Sequence, residues 1–204
     1  MPQYLKDETQ ARIAAAALEV FARSGYRGAT MAEIGRRAGV STGNIYRYYE
    51  NKDVLFAELV DEAFAQALLA LLRRRVEALA GVDDPGALAP TAPFHAASEA
   101  LLRFCVANRL RVVILLARAE GTPLAGFADL LVATLTRLAV AHFQRRSPEL
   151  RVSETLAFNL DQIYRNLVRS MVDTLVRFDQ EAQIRQAVAE FSRYHLGGLQ
   201  ALFA

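Results

Sequence analysis

A chain of 204 residues that is 53% apolar has ample material for one or two packed domains. Ala, Leu and Arg dominate and β-branched residues come only in short runs, which favours helix nearly throughout. A lone cysteine, Cys105, and apolar runs no longer than six residues, such as Val112 to Ala117, exclude an internal disulfide, a cysteine metal cluster and a helical membrane span of ~20 apolar residues.

The net charge of +2 predicts little, but its distribution is uneven. Residues 1–56 hold eight Lys and Arg against six acids, including both lysines of the chain, while the other 148 residues hold sixteen of each sign. The opening MPQYLKDETQ has no apolar core after a basic start, so no secretory signal is expected and the cytoplasm is the expected location.

The first helix is expected to begin near Asp7, with Gln10 as a capping partner, and to end at Gly25. Ile13, Ala17, Val20 and Phe21 form its single apolar stripe. Thr30 with Glu33 makes a capping box for a second helix whose inner face is Met31, Ile34 and Ala38. Gly39 supplies a left-handed turn residue, Val40 fills the angle, and Ser41 caps a third helix running to about Glu50-Asn51.

That third helix carries polar, aromatic and basic groups where a core helix would carry Leu. At about 100° per residue, Thr42, Ile45 and Tyr49 point one way with Tyr46 at their flank. Gly43, Asn44, Arg47 and Tyr48 point the other way. A small residue, then an amide, a guanidinium and a phenol on one face suit DNA, since Arg pairs with guanine edges and Asn with adenine. Two short helices about a Gly turn with such a face form a helix-turn-helix, which sets one helix into the major groove.

A fourth helix is expected from about Lys52 to Leu79, and Gly81 to Pro93, with three Pro and two Gly, reads as a loop. Helices follow at about 94–107, 109–119, 124–146, 153–178 and 181–203. The Arg73-Arg74-Arg75 run is expected to be solvated. His95, His142 and His195 lack the close helical spacing of metal sites, so no metal is expected. None of G-x-S-x-G, G-x-x-x-x-G-K, H-E-x-x-H or G-x-G-x-x-G occurs, so an enzyme finds no support.

The helix over 153–178 is apolar on two sides, with Leu156, Leu160, Ile163, Leu167 and Met171 in one stripe and Tyr164, Val168, Val172 and Leu175 in another. A helix so built packs on its own domain and on a partner. The last helix repeats the idea, and Gly197-Gly198, costing roughly 1 kcal/mol per Gly relative to Ala, suggests close approach of another helix. A homodimer seam through Leu167, Met171, Leu175, Phe191, His195, Gly198 and Leu202 is therefore expected. For a small-molecule site, Phe94, Phe104, Phe127, Phe143 and Phe158 offer aromatic lining, and Asn108, Arg118, Asn159 and Tyr164 offer polar contacts.

The run from Gly25 to Leu55, G-Y-x-G-A-T-M-A-E-I-G-R-R-A-G-V-S-T-G-N-I-Y-R-Y-Y-E-N-K-D-V-L, resembles the N-terminal domain of the TetR family of bacterial transcriptional regulators. The likeness covers roughly residues 8–56; beyond that it is one of architecture. It implies an all-α chain of about nine helices, with a helix-turn-helix DNA-binding domain over 1–52 and a helical effector-binding and dimerisation domain over 53–204. It implies that Thr30, Ser41, Tyr46, Tyr48 and Lys52 hold the DNA backbone while Thr42, Gly43, Asn44 and Arg47 approach the bases. The implied partners are a palindromic double-stranded operator, a second copy of the chain and a small-molecule effector, with no cofactor. A repressor released by its effector is the leading expectation, and a C-terminal domain that only dimerises or binds a protein is the alternative.

Overall fold

Helix-favouring composition is realised as ten helices, with no strand, among the described residues. These are α1 Gln3–Gly28, α2 Met31–Ala38, α3 Thr42–Ile45, α4 Lys52–Leu59, α5 Glu62–Glu77, α6 Pro93–Ala107, α7 Arg109–Ala117, α8 Phe127–Arg146, α9 Glu154–Arg177 and α10 Glu181–Leu202. The structure is a computed structural model and describes residues 3–82 and 88–203. The expected loop over Gly81 to Pro93 lies partly outside the described residues, and Pro93 opens α6 at a position where its missing N–H costs nothing.

The tenth helix comes from a break where one continuous helix was expected. Val60 leaves the helical region (φ −136°, ψ 93°), and the Asp61 carboxylate accepts from the Phe64 N–H at 2.8 Å, starting α5. The Leu59 carbonyl left over at the end of α4 accepts from Arg111 Nε at 2.6 Å, and the same guanidinium lies 3.9 Å over the Phe64 ring. Apolar periodicity runs through this point without interruption. The capping aspartate was the local signal that outweighs it.

The chain divides into two compact units, Met1–Ala65 with Leu110–Phe127 and Gln66–Arg109 with Ala128–Ala204. In the first, Ile13, Ala17, Val20 and Phe21 are buried together with Ile34, Ile45 and Leu55. Phe56 meets Phe21 and Tyr26 edge-on, at centroid distances of 5.4 and 5.2 Å. Helix α1 kinks at Gly25, whose φ of +71° a residue with a Cβ rarely adopts.

Three charged contacts fix α2 on α1. Arg23 pairs with Glu33, Arg37 pairs with Glu19, and Arg12 Nη2 donates to the Ala38 and Gly39 carbonyls at the end of α2. Arg12 carries no sequence signal for this role, because the carbonyls it meets lie 26 and 27 residues away.

Gly35 lets the next turn close. A Cβ there would stand 2.9 Å from the Val40 carbonyl oxygen and 3.2 Å from Ile45 Cδ1. Ala in a helix ordinarily gains about 1 kcal/mol over Gly, but overpacking of about 1–3 kcal/mol opposes it here. Gly35→Ala is therefore expected to lower the urea midpoint. Gly43→Ala, whose Cβ meets nothing within 4 Å, should hold or raise it. A rise in both variants would show that the turn has slack.

In the second unit, Leu101 and Cys105 of α6 join Leu131 and Leu135 of α8, Leu160, Val168 and Leu175 of α9, and Ile184 and Leu199 of α10 in the core. Burial pushes the Cys105 thiol up to about 12, which leaves it an inert apolar side chain. Arg185 of α10 grips Glu99 of α6 through two hydrogen bonds of 2.7 and 2.9 Å. Arg165 joins α9 to Asp129 of α8 at 2.7 Å.

Candidate functional site

The turn between α2 and α3 is built from caps that the sequence spells out. Thr30 Oγ1 accepts from the Glu33 N–H at 3.1 Å, and Ser41 Oγ accepts from the Asn44 N–H at 3.2 Å. Gly39, at φ +67°, is the left-handed residue closing α2, and Val40 N–H returns to the Gly35 carbonyl at 2.9 Å. Each capping hydroxyl spends its acceptor on the helix and keeps an O–H to donate outward, and both residues are exposed.

Helix α3 is shorter than expected. Regular helix covers Thr42–Ile45, after which Arg47 N–H donates to the Asn44 carbonyl at 3.2 Å and Tyr48 N–H to the Ile45 carbonyl at 2.8 Å. These three-residue steps tighten the chain before Tyr49 rather than extending it to Asn51. Ile45 and Tyr49 anchor the segment as buried residues. The Tyr49 hydroxyl donates to Glu58 Oε1 at 2.9 Å, and burial together with that carboxylate pushes its pKa up to about 12.

On the other side, Gly43 and Arg47 are exposed, Asn44, Tyr48 and Thr42 are half-buried, and Tyr46 keeps 52% of its surface open. A polar, cationic and aromatic strip thus stands clear of the first unit's core.

Lys52 takes a place that the sequence did not disclose. Its ammonium donates to the Tyr26 carbonyl at 2.7 Å and the Ala29 carbonyl at 2.9 Å, and lies 4.3 Å over the Tyr26 ring. It closes the open end of α1, where a cation is favoured. Two of its three N–H donors are used in this way. Tyr26, whose hydroxyl donates to Asp53, has its pKa raised to about 12 by burial and by that carboxylate. Arg36 is exposed, whereas Arg37 is spent on Glu19.

The second unit holds a cavity of about 860 Å³ between α5, α6, α9 and α10 and a smaller one of about 60 Å³ beside it. Of the nine residues expected around a ligand, Phe94 lines the larger cavity and Phe143 and Tyr164 line the smaller one. Phe127 is buried in the first unit, and Arg118 Nε there donates to the Ala22 carbonyl at 3.3 Å. Asn108 Nδ2 donates to the Phe104 backbone carbonyl at 3.0 Å and so closes the end of α6, and Asn159 is exposed.

Residues assigned to a seam between copies are divided. Leu175 and His195 are buried within the chain itself, while Leu167, Met171 and Phe191 are half-buried and line the large cavity together with them. Gly198 and Leu202 are exposed. An apolar helical stripe specifies that a face is covered without specifying what covers it, and here part of that face lines a hollow.

Arg75 is the residue that sequence reasoning missed. Arg73 and Arg74 are exposed as expected, but Arg75 points inward and lies at the junction of both cavities. Its Nε donates to Ser98 Oγ at 3.1 Å and its guanidinium lies 4.9 Å from the Phe94 ring centroid. Desolvation holds its pKa below the ordinary value. Burial, with the Arg75 charge adding to it, takes His195 down to about 4, so the imidazole is neutral near pH 7.

Residues 13–59 match the model of a family described as bacterial regulatory proteins, tetR family. The fatty acid metabolism regulator protein of Bacillus subtilis strain 168 is 39% identical over 51 residues, which is 25% of this chain and 26% of that protein. YhgD, an uncharacterised HTH-type transcriptional regulator of the same organism, is 31% identical over 109 residues, 52% of this chain and 50% of its own length. The chain thus spans from about a quarter to half of these relatives. A TetR-like transcriptional regulator from Rhodococcus sp. RHA1 is 23% identical with a TM-score of 0.44, covering 100% of this chain and 96% of that one.

Proposed function

We propose that this chain, whose residues 13–59 match the model of the tetR family of bacterial regulatory proteins, is a ligand-responsive transcriptional repressor. It binds a palindromic operator as a homodimer in the cytoplasm and leaves it when a small molecule occupies the second unit. The observation that carries this reading is the exposed strip of Gly43, Tyr46 and Arg47, flanked by Asn44 and Tyr48, on a segment fixed from behind by Ile45 and Tyr49.

In this reading Arg47 and Asn44 meet base edges, and Gly43 gives the backbone room to approach. Thr30, Ser41, Tyr46 and Tyr48 donate to phosphates, and Thr42 lies at the margin of the base contacts. Lys52 contributes charge near the backbone while holding α1. The two copies must set their α3 segments about one helical turn of DNA apart, roughly 34 Å.

The pairing surface is the outer side of α9 and α10. Tyr194 is 72% exposed and Val176 55%, and a Cβ at Gly197 or Gly198 would meet nothing within 4 Å. The cavity of about 860 Å³ falls in the range of small-molecule sites and favours an effector over a purely structural second unit. Ligand acts by binding the DNA-incompetent arrangement more tightly, since equal affinity for both arrangements shifts nothing.

Selection of bound duplexes from random DNA tests the reading. A palindromic site should emerge. Arg47→Ala should then lose about 1–3 kcal/mol of affinity for it and accept more bases at one position in each half-site. Recovery of no preferred site, or a variant that binds like the parent, would remove the DNA-reading role from this face.

A further inference from the structure

We propose that the larger cavity of the second unit takes a small molecule with a carboxylate head and an apolar body, the head held by Arg75 with Ser98 beside it. This rests on the reading above, that the second unit answers to a ligand, and adds the class of that ligand.

The cavity walls are mostly hydrocarbon, with Leu101, Leu102, Leu167, Met171, Val188 and Phe191 among them. Into this lining projects a guanidinium with five N–H donors. Ser98 takes one of them and the Phe94 ring faces the cation. Among the described residues no carboxylate pairs with Arg75 and no acceptor meets its terminal amino groups.

The other charged groups at the cavity do not fill that role. Glu99 is gripped by Arg185 and Arg103, and Arg185 also pairs with Glu181. Arg193 is exposed. His195, beside Arg75, is neutral near pH 7 and brings no opposing charge.

A half-buried guanidinium that faces an apolar lining with donors left over after Ser98 is poorly compensated in the empty protein, and an apolar side chain of like volume would serve the fold at least as well. Such a group is retained where a ligand completes it. A guanidinium presents parallel donors that match a carboxylate in a bidentate pair. One unpaired positive charge matches one negative charge, and the apolar lining takes the rest of the molecule.

Three probes of equal chain length isolate the head group: decanoate, decanol and decylammonium, titrated calorimetrically into the full-length parent. Decanoate should bind roughly tenfold to hundredfold more tightly than decanol, and decylammonium more weakly than either. Arg75→Met should erase the preference for decanoate while raising the melting temperature of the empty protein. Ser98→Ala, which keeps the cation, should reduce the preference without erasing it. Equal binding of decanoate and decanol by the parent overturns the assignment, as does a preference that survives Arg75→Met.

Operator binding is measured on the same samples. A parent that binds its selected duplex but shows no decanoate preference sinks the ligand class and leaves the regulator reading intact. A parent that holds decanoate through Arg75 but selects no duplex does the reverse.

Discussion

Ile45→Ala is expected to cost roughly 2–5 kcal/mol of stability and to abolish recognition of the selected operator even where the protein remains folded. Ile45 is fully buried, and its Cδ1 would stand 3.2 Å from a Cβ at Gly35. Helix α3 is a single turn, Thr42–Ile45, and a helix so short has no stability of its own in water. The Ile45 side chain supplies the burial that holds it, and the Ile45 carbonyl accepts from both Tyr48 and Tyr49 N–H groups, at 2.8 and 3.0 Å. Truncation leaves a hole behind the strip that carries Asn44 and Arg47, so that strip loses its backing. Urea melts give the stability change, and gel shifts at low temperature, with circular dichroism to confirm folding, give the binding. Full operator affinity in a folded, destabilised variant would mean that α3 is positioned by something other than Ile45.

The features legible in the sequence were those set by neighbours along the chain. Thr30 and Ser41 cap helices through an N–H three residues on, and Gly39 answers a requirement of its own backbone. The all-helical class followed from propensity and period in the same way. Where local signals competed, the weaker-looking one won. Asp61 breaks a helix across which apolar periodicity is continuous, and Tyr46 to Tyr48 tighten into short turns where a longer helix was expected.

Non-local roles were not legible. Lys52 meets carbonyls 26 and 23 residues back, and Arg75 finds Ser98 23 residues ahead and the His195 ring much further along. No periodicity announces such meetings. The same limit applies to the residues expected around a small molecule or at a seam. Polar residues picked for their chemistry, such as Arg118 and Asn108, serve as helix-end donors to backbone carbonyls. The apolar residues assigned to a seam, such as Met171 and Phe191, line the cavity.

His195→Phe is expected to flatten the pH dependence of stability between about pH 6.5 and pH 4. The imidazole sits against Tyr164 of α9, at a centroid distance of 5.5 Å, and stacks on Phe191 of its own helix at 6.1 Å, with Arg75 of α5 as the charged neighbour. Burial and that cation lower its pKa from 6.5 to about 4 in the folded protein. Between those values the unfolded chain binds the extra proton, so stability rises with pH, is fully present above 6.5, and is lost as pH falls toward 4. A shift of this size is worth on the order of 3 kcal/mol. Phe keeps a ring of similar shape against Tyr164 and Phe191 and removes the titration. Glu99 loses its contribution lower, because Arg185 and Arg103 hold it near 2 against an ordinary 4.5, so its window lies mostly below that of His195. Denaturant midpoints collected from pH 7 to pH 5 in parent and variant decide the matter. Parallel curves through that range would mean that His195 takes up its proton as readily in the folded protein as in the unfolded chain.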